Sequence, residues 1–356
     1  MIRLSFILLS FCLSFAYGQQ AIEERLETIE SRLFDYRHSF DKLEKMIDDV
    51  LWYHRVGDVA IVDKVFIYGP PPANVKEPDA VGADNPVRFW TYVFIPKTID
   101  VSKKYPLIVF PHGGVHSNFS TYYTHIIREL MAQEYIVVAP EYRGSTGYGK
   151  RFYELIDYGG REIGDTEASR AYMVANYPFV DRRRVGAFGW SHGGLIALMS
   201  LFEYPDKYQV GFAGVPVSDL VLRIGYRGQR YEDYFSADYH IGQTVLQNTK
   251  AYKKRSPTYN ASRLQTPVLI NTNTNDDDVF AIEVISLINA LKAEGKKFEY
   301  DIYENLPGGH GFDRLDTKKA REIRFKTYKF MEQYLDPPVK FRRVQDLEKA
   351  AYPGLR

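Results

Sequence analysis

The stretch Arg184-Val185-Gly186-Ala187-Phe188-Gly189-Trp190-Ser191-His192-Gly193-Gly194-Leu195 decides how the rest of the chain is read. Its apolar run Val185 to Phe188 predicts a strand, and Leu195, Leu198, Leu201 and Phe202 then recur at helical spacing. Between the two lies Gly189-x-Ser191-x-Gly193. A serine on a sharp strand-to-helix turn takes strained backbone angles, and its neighbours must lack side chains for strand and helix to pass closely. The helix that follows aims free N–H groups and its positive dipole end at the place where an oxyanion forms. A plain Gly-rich turn with a solvated serine would explain the glycines but not the strand before and the helix after.

Outward from that turn, 356 residues suffice for one large α/β domain with an appendage. A formal net charge of +1 supplies no basic field for nucleic acid. The N-terminus reads as a secretory signal over residues 1–18: Arg3, an apolar run from Leu4 to Phe15, then Ala16-Tyr17-Gly18. That run is too short to span a bilayer comfortably, and no other stretch replaces it, so no integral membrane segment is expected in the mature chain. Cys12, the sole cysteine, falls inside the signal, and Phe11 before it argues against a lipid anchor. A mature chain without cysteine has no disulfide framework, which fits a periplasmic or secreted bacterial protein.

Residues 19–56 read as a helical segment. Ile22, Leu26, Ile29, Leu33, Tyr36, Phe40, Leu43, Ile47 and Val50 repeat in a 4-3 rhythm without Gly or Pro, with a break offered at Ser39. The stripe is expected to pack on the chain's own hydrolase domain; the alternative is a homo-oligomer paired through residues 21–50. Residues 57–340 read as the catalytic domain and 341–356 as a tail. Val59–Tyr68 and Val87–Ile95 are β-rich runs, while Leu107–Phe110, Tyr135–Ala139, Phe212–Pro216 and Pro267–Asn271 are continuous apolar runs of the kind buried in parallel sheets. Alternation with helical stretches predicts an α/β class: a doubly wound, mostly parallel sheet of the α/β-hydrolase fold with an N-terminal helical extension.

A nucleophilic serine needs a base, and the base an orienting carboxylate, in the chain order Ser, Asp, His for this fold. Beyond the elbow, Gly189 to Gly193, only His240 and His310 remain. His310 lies in the loop Leu306-Pro307-Gly308-Gly309-His310-Gly311 after a predicted strand, which favours it as the base. The acid should follow Val268-Leu269-Ile270, and in Asp276-Asp277-Asp278 the first to emerge is Asp276, with Asp277 next. Oxyanion donors would be the N–H of His192 and the loop His112-Gly113-Gly114. No HExxH or Cys cluster occurs, so no metal and no cofactor is expected.

The stretches YPLIVFPHGG, APEYRGSTGYGKRF, VDRRRVGAFGWSHGG, TPVLINTNTNDDDV and GGHGF together resemble the catalytic domain of the prolyl oligopeptidase family of serine peptidases. The resemblance implies Ser191 as nucleophile, Asp276 as acid and His310 as base, with Arg143 in a structural ion pair. It covers the catalytic domain only, with no expected counterpart to the family's β-propeller. Thr272-Asn273 replaces the family's His-Gly pair before the acid, and His112 stands where the prolyl-cleaving branch has an oxyanion tyrosine, which places strict proline specificity in doubt. It also implies an aromatic substrate pocket from Trp190, Tyr226, Tyr231, Tyr234 and Phe235; a packed helical cap over 218–254 is the alternative. The expected function is hydrolysis of peptide bonds through an acyl-enzyme. Two alternatives stand beside it: a carboxylesterase on acylated carbohydrate or aromatic esters, and a non-catalytic protein assembling through its N-terminal helix.

Overall fold

The computed structural model describes residues 2–75 and 77–351, without the side chains of 2–18 and 21. The signal expected at 1–18 therefore falls outside the described side chains. Eight strands form one sheet in the order β1-β2-β4-β3-β5-β6-β7-β8. They are β1 (Ala60–Tyr68), β2 (Arg88–Pro96), β3 (Tyr105–Val109), β4 (Ile136–Pro140), β5 (Val180–Trp190), β6 (Val210–Gly214), β7 (Val268–Asn273) and β8 (Glu299–Tyr303). β2 runs antiparallel to both β1 and β4, and every other pairing is parallel.

Every residue of β3, β4, β6 and β7 is buried, which is why β3, β4, β6 and the first half of β7 are apolar without alternation. Period-two alternation sends their side chains to opposite faces. Leu107 and Val109 join the core under the helices Arg161–Asn176, His192–Glu203 and Ala281–Ala293. Ile108 and Phe110 join the other core, under Thr124–Ala132 and Lys318–Leu335. The segment expected to be a tail continues this second core: Phe341, Leu347 and Ala351 are buried, the last two on the helix Gln345–Ala351.

Helix α1 (Ile2–Val56) is continuous. Ser39 does not break it; its hydroxyl donates to the Asp35 carbonyl one turn back instead of capping a second helix. The expectation that the apolar stripe packs on the domain is overturned, since its nine residues are 50 to 69% exposed. The docked face carries instead His38, Lys45, Trp52 and Val56, all buried. Lys45 Nζ lies 2.7 Å from Glu141 Oε1 and donates to the Phe119 carbonyl at 2.7 Å. Asp48 accepts from the Thr121 hydroxyl at 2.6 Å, and Trp52 stacks on Phe119 with centroids 5.6 Å apart. The Lys45 ammonium and the Asp48 carboxylate can be buried here because each meets a partner of opposite character.

Candidate active site

β5 ends at Trp190, and Ser191 turns the chain into the helix His192–Glu203 with φ 58° and ψ −123°. A positive φ on a serine costs on the order of 1–3 kcal/mol and persists only where its surroundings impose it. They do so here: a Cβ on Gly193 would stand 2.3 Å from the Pro111 carbonyl oxygen, so only glycine lets the helix approach the β3 loop. Ser191 is nearly buried and lines a cavity together with Gly113, Gly114, Tyr123, Asp278 and His310.

His310 sits on a single turn, Gly309–Gly311, entered through Gly308 at φ 108°. Its Nδ1 lies 2.8 Å from Asp276 Oδ2 and 3.0 Å from Oδ1. Asp276 Oδ1 also accepts from the backbone N–H of Asp278 and of Val279, each at 2.9 Å. The carboxylate is thereby held by donors on one side and by the imidazole on the other, which orients the ring with Nδ1 towards Asp276 and Nε2 away from it. Nε2 makes no hydrogen bond among the described residues. Arg314 donates to the His310 carbonyl and fixes the turn. Asp277, the second-ranked acid, is exposed.

His192 is the first residue of its helix, so its N–H lacks an intrahelical acceptor. Gly113 lies against the serine, a Cβ there standing 3.4 Å from that of Ser191, and its N–H donates to the Tyr123 hydroxyl at 3.3 Å. Gly114 follows at φ 73° and borders the same cavity. His112 is structural: its ring stacks on Tyr142, its Nε2 meets Ser145 Oγ at 2.8 Å, and burial holds its pKa down to about 3.

On the other side of Ser191 a cavity of about 290 Å³ is lined by Val115, Tyr158, Val217, Arg223, Tyr231 and Tyr234, among others. Tyr231 and Tyr234 stand where the sequence predicts. Three other expected pocket residues do not line it. Trp190 is buried in the core, donating to Asp313 Oδ2 at 2.7 Å. Tyr226 donates to Glu283 and stacks on Phe280. Phe235 is fully buried, edge-on to Tyr158 at 4.6 Å.

The polar margin of this cavity rests on Asp278, which borders both cavities. Arg223 and Arg227 donate to its Oδ1 at 2.8 and 2.6 Å. Burial opposes its charge, yet Arg223, His310 and Arg227 outweigh burial and hold its carboxyl below the ordinary range. Oδ2 lies 3.8 Å from His310 Nε2. Deeper in, His116 donates from Nδ1 to the Gly144 carbonyl at 2.8 Å, so its Nε2 accepts from His240 Nε2 at 2.9 Å. Burial holds these two imidazoles neutral, with pKa values of about 4 and about 3. His240, the other histidine beyond the elbow, is thus bound to a second imidazole and not to a carboxylate.

The sequence profile described as "Prolyl oligopeptidase family" matches residues 121–338, more than half of the chain. The chain belongs to the prolyl oligopeptidase family. Similar relatives include dipeptidyl peptidase 8 of Homo sapiens, 28% identical over 247 residues, which are 66% of this chain and 26% of the relative. The acylamino-acid-releasing enzyme of Arabidopsis thaliana is 26% identical over 255 residues, 69% of this chain and 33% of the relative. The chain therefore spans about a quarter to a third of the length of these curated relatives. A Pyrococcus horikoshii acylaminoacyl peptidase structure shares the fold with a TM-score of 0.65 at 21% identity, covering 82% of this chain and 44% of that one.

In this family member the sequence-predicted Ser191, Gly113, Gly114 and His310 line one cavity, drawn from the loops after β3, β5 and β8, with His192 next to the serine and Asp276, after β7, bonded to His310. Arg143 is structural as the resemblance implies, pairing with Asp165 at 2.7 Å with both side chains buried. Sequence reasoning missed Tyr123, Arg223 and Asp278. No local pattern marks Tyr123 or Arg223, whereas Asp278 stands two residues from the acid and could have been weighed for a role of its own.

Proposed function

We propose that this chain is a serine peptidase that cleaves peptide bonds through an acyl-enzyme. The observation that carries the reading is the free Nε2 of His310, on a ring anchored by Asp276, in a cavity shared with Ser191. Nε2 takes the hydroxyl proton as Oγ of Ser191 attacks the carbonyl carbon. The tetrahedral oxyanion is received by the N–H groups of His192 and the Gly113-Gly114 loop, each such donor contributing about 2.7–4 kcal/mol of barrier lowering. The imidazolium formed, stabilised by Asp276, protonates the leaving amine, and water repeats the sequence in reverse on the acyl-enzyme. The acyl side chain enters the cavity walled by Val115, Val217, Tyr231 and Tyr234, which suits an apolar or aromatic group. Relatives named for releasing acylamino acids and dipeptides, and structures titled puromycin hydrolase, support amide substrates.

The test is a pair of substrates sharing one aromatic acyl group, an anilide and an aryl ester. Hydrolysis of both by the wild type and of neither by Ser191→Ala is expected; turnover of the ester alone would replace the peptidase with a carboxylesterase. We also read residues 1–18 as a leader removed on export. N-terminal sequencing of the exported protein should then begin at Gln19, and retention of the leader on a cytoplasmic product would refute export.

A further inference from the structure

Helix α1 carries two stripes, one with residues seven apart and one with an average spacing of 3.5 residues. One, through His38, Lys45 and Trp52, is spent on the chain's own domain. The other, from Ile22 to Val50, leaves all nine of its apolar side chains 50 to 69% exposed. In heptad terms the exposed residues occupy a and d, while His38, Lys45 and Trp52 occupy f, on the opposite side of the cylinder. The domain thus grips the back of the helix and leaves its seam open.

We infer that a second copy of this chain docks on the seam, the two α1 helices forming a coiled-coil dimer. The spacing selects the occupant. A repeat of 3.5 stays in contact only with another helix of the same repeat, through left-handed supercoiling. The seam runs for about 40 Å at 1.5 Å per residue. Its exposed surface is on the order of 1,000 Å² per chain, above the roughly 800 Å² per partner of a standard stable interface. The flanks are mixed: Arg25 at g and Glu30 at e carry opposite signs that can pair across the seam, Arg32 at g and Arg37 at e carry like signs, and Met46 and Tyr53 at g widen the apolar strip near the domain. Lipid as the occupant is disfavoured by Glu23, Glu24, Glu27, Glu30 and Asp35 around the same turns, because interfacial helices carry Lys and Arg there. Ile47 on the seam also borders a cavity whose Ser117, Asn118 and Ser120 border the cavity of Ser191 and His310. The second copy therefore lies beside the margin of the active-site cleft.

The test is the mass of the purified chain in solution by light scattering, for the wild type and for the triple variant Leu33→Glu, Phe40→Glu, Leu43→Glu. These side chains are largely solvent-exposed in the single chain, so the variant should fold, with unchanged helical circular dichroism and unchanged hydrolysis of a small ester. A wild type of twice the single-chain mass that falls to the single-chain mass in the variant is the expected result. A single-chain mass for the wild type at micromolar concentration, or an assembly that survives the three glutamates, would overturn the proposal. Binding of a single-chain wild type to phosphatidylglycerol vesicles, lost in the variant, would reassign the seam to a lipid surface.

Discussion

His310 and Asp276 are joined through Nδ1 and Oδ2 at 2.8 Å, by a carboxylate that two backbone N–H groups also hold. The pair fixes the imidazole tautomer with its lone pair on Nε2. Asp276→Asn should lower kcat by about 10⁴-fold with the fold intact, as expected when the orienting acid of a triad is lost. Asp277→Asn, at an exposed neighbour, should leave kcat within a few-fold of wild type. Equal losses in the two variants would show that Asp276 has no special role.

Lys45 and Glu141 form a buried ion pair that ties α1 to the loop after β4. Removing one partner leaves an uncompensated buried charge, so Lys45→Met should cost about 3–5 kcal/mol in urea unfolding. The double variant with Glu141→Gln should recover part of that loss. Additive costs would mean that the two groups act independently.

His112 and His240 are buried and neutral, each with a pKa of about 3. For a histidine whose folded pKa lies below its unfolded value near 6.5, the unfolded chain binds the extra proton as pH falls. Their stabilisation is complete above about pH 6.5 and is lost towards pH 3, at about 1.4 kcal/mol per pH unit for each proton. His240→Asn should flatten the fall in unfolding free energy between pH 6 and 4 by about one proton's worth. Parallel curves would contradict burial as the cause.

Tyr234 lines the cavity beside Ser191, whereas Phe235 lies in the core behind it. Tyr234→Ala should therefore reduce kcat/KM for an aromatic acyl group by about 10–200-fold relative to a small one, the range for lost apolar pocket contacts. Phe235→Ala should act on stability instead, by about 3–5 kcal/mol. Steady-state kinetics on two acyl groups, with unfolding curves for both variants, separates these outcomes.

The fold was legible because its physics is local. Continuous apolar runs mark β3, β4, β6 and β7, and the sheet brings the loops after β3, β5 and β7 to one edge, so Ser191, the oxyanion loop and Asp276 could be placed by position alone. Trp190 belongs to the core and not to the pocket, and the sequence carries the signal: two residues after Phe188 on one strand, it shares that residue's core face. Apolarity usually buries, so the sequence points to the stripe on α1 as the docked face. The true contact joins Trp52 and Val56 to polar groups, and Lys45, Asp48 and Asp49 find their partners 15 to 96 residues away in the chain, among Lys64, Tyr92, Thr121 and Glu141, where no local pattern records them. Arg223 reaches Asp278 across a similar separation, which hid the charged margin of the acyl cavity.

The most direct measurement is peptide mapping by mass spectrometry after reaction with a fluorophosphonate, in wild type and in His310→Ala. One adduct on Ser191, formed rapidly in wild type and slowed at least a hundredfold in the variant, is predicted. No adduct, or one forming equally fast without His310, would contradict a serine made nucleophilic by that imidazole.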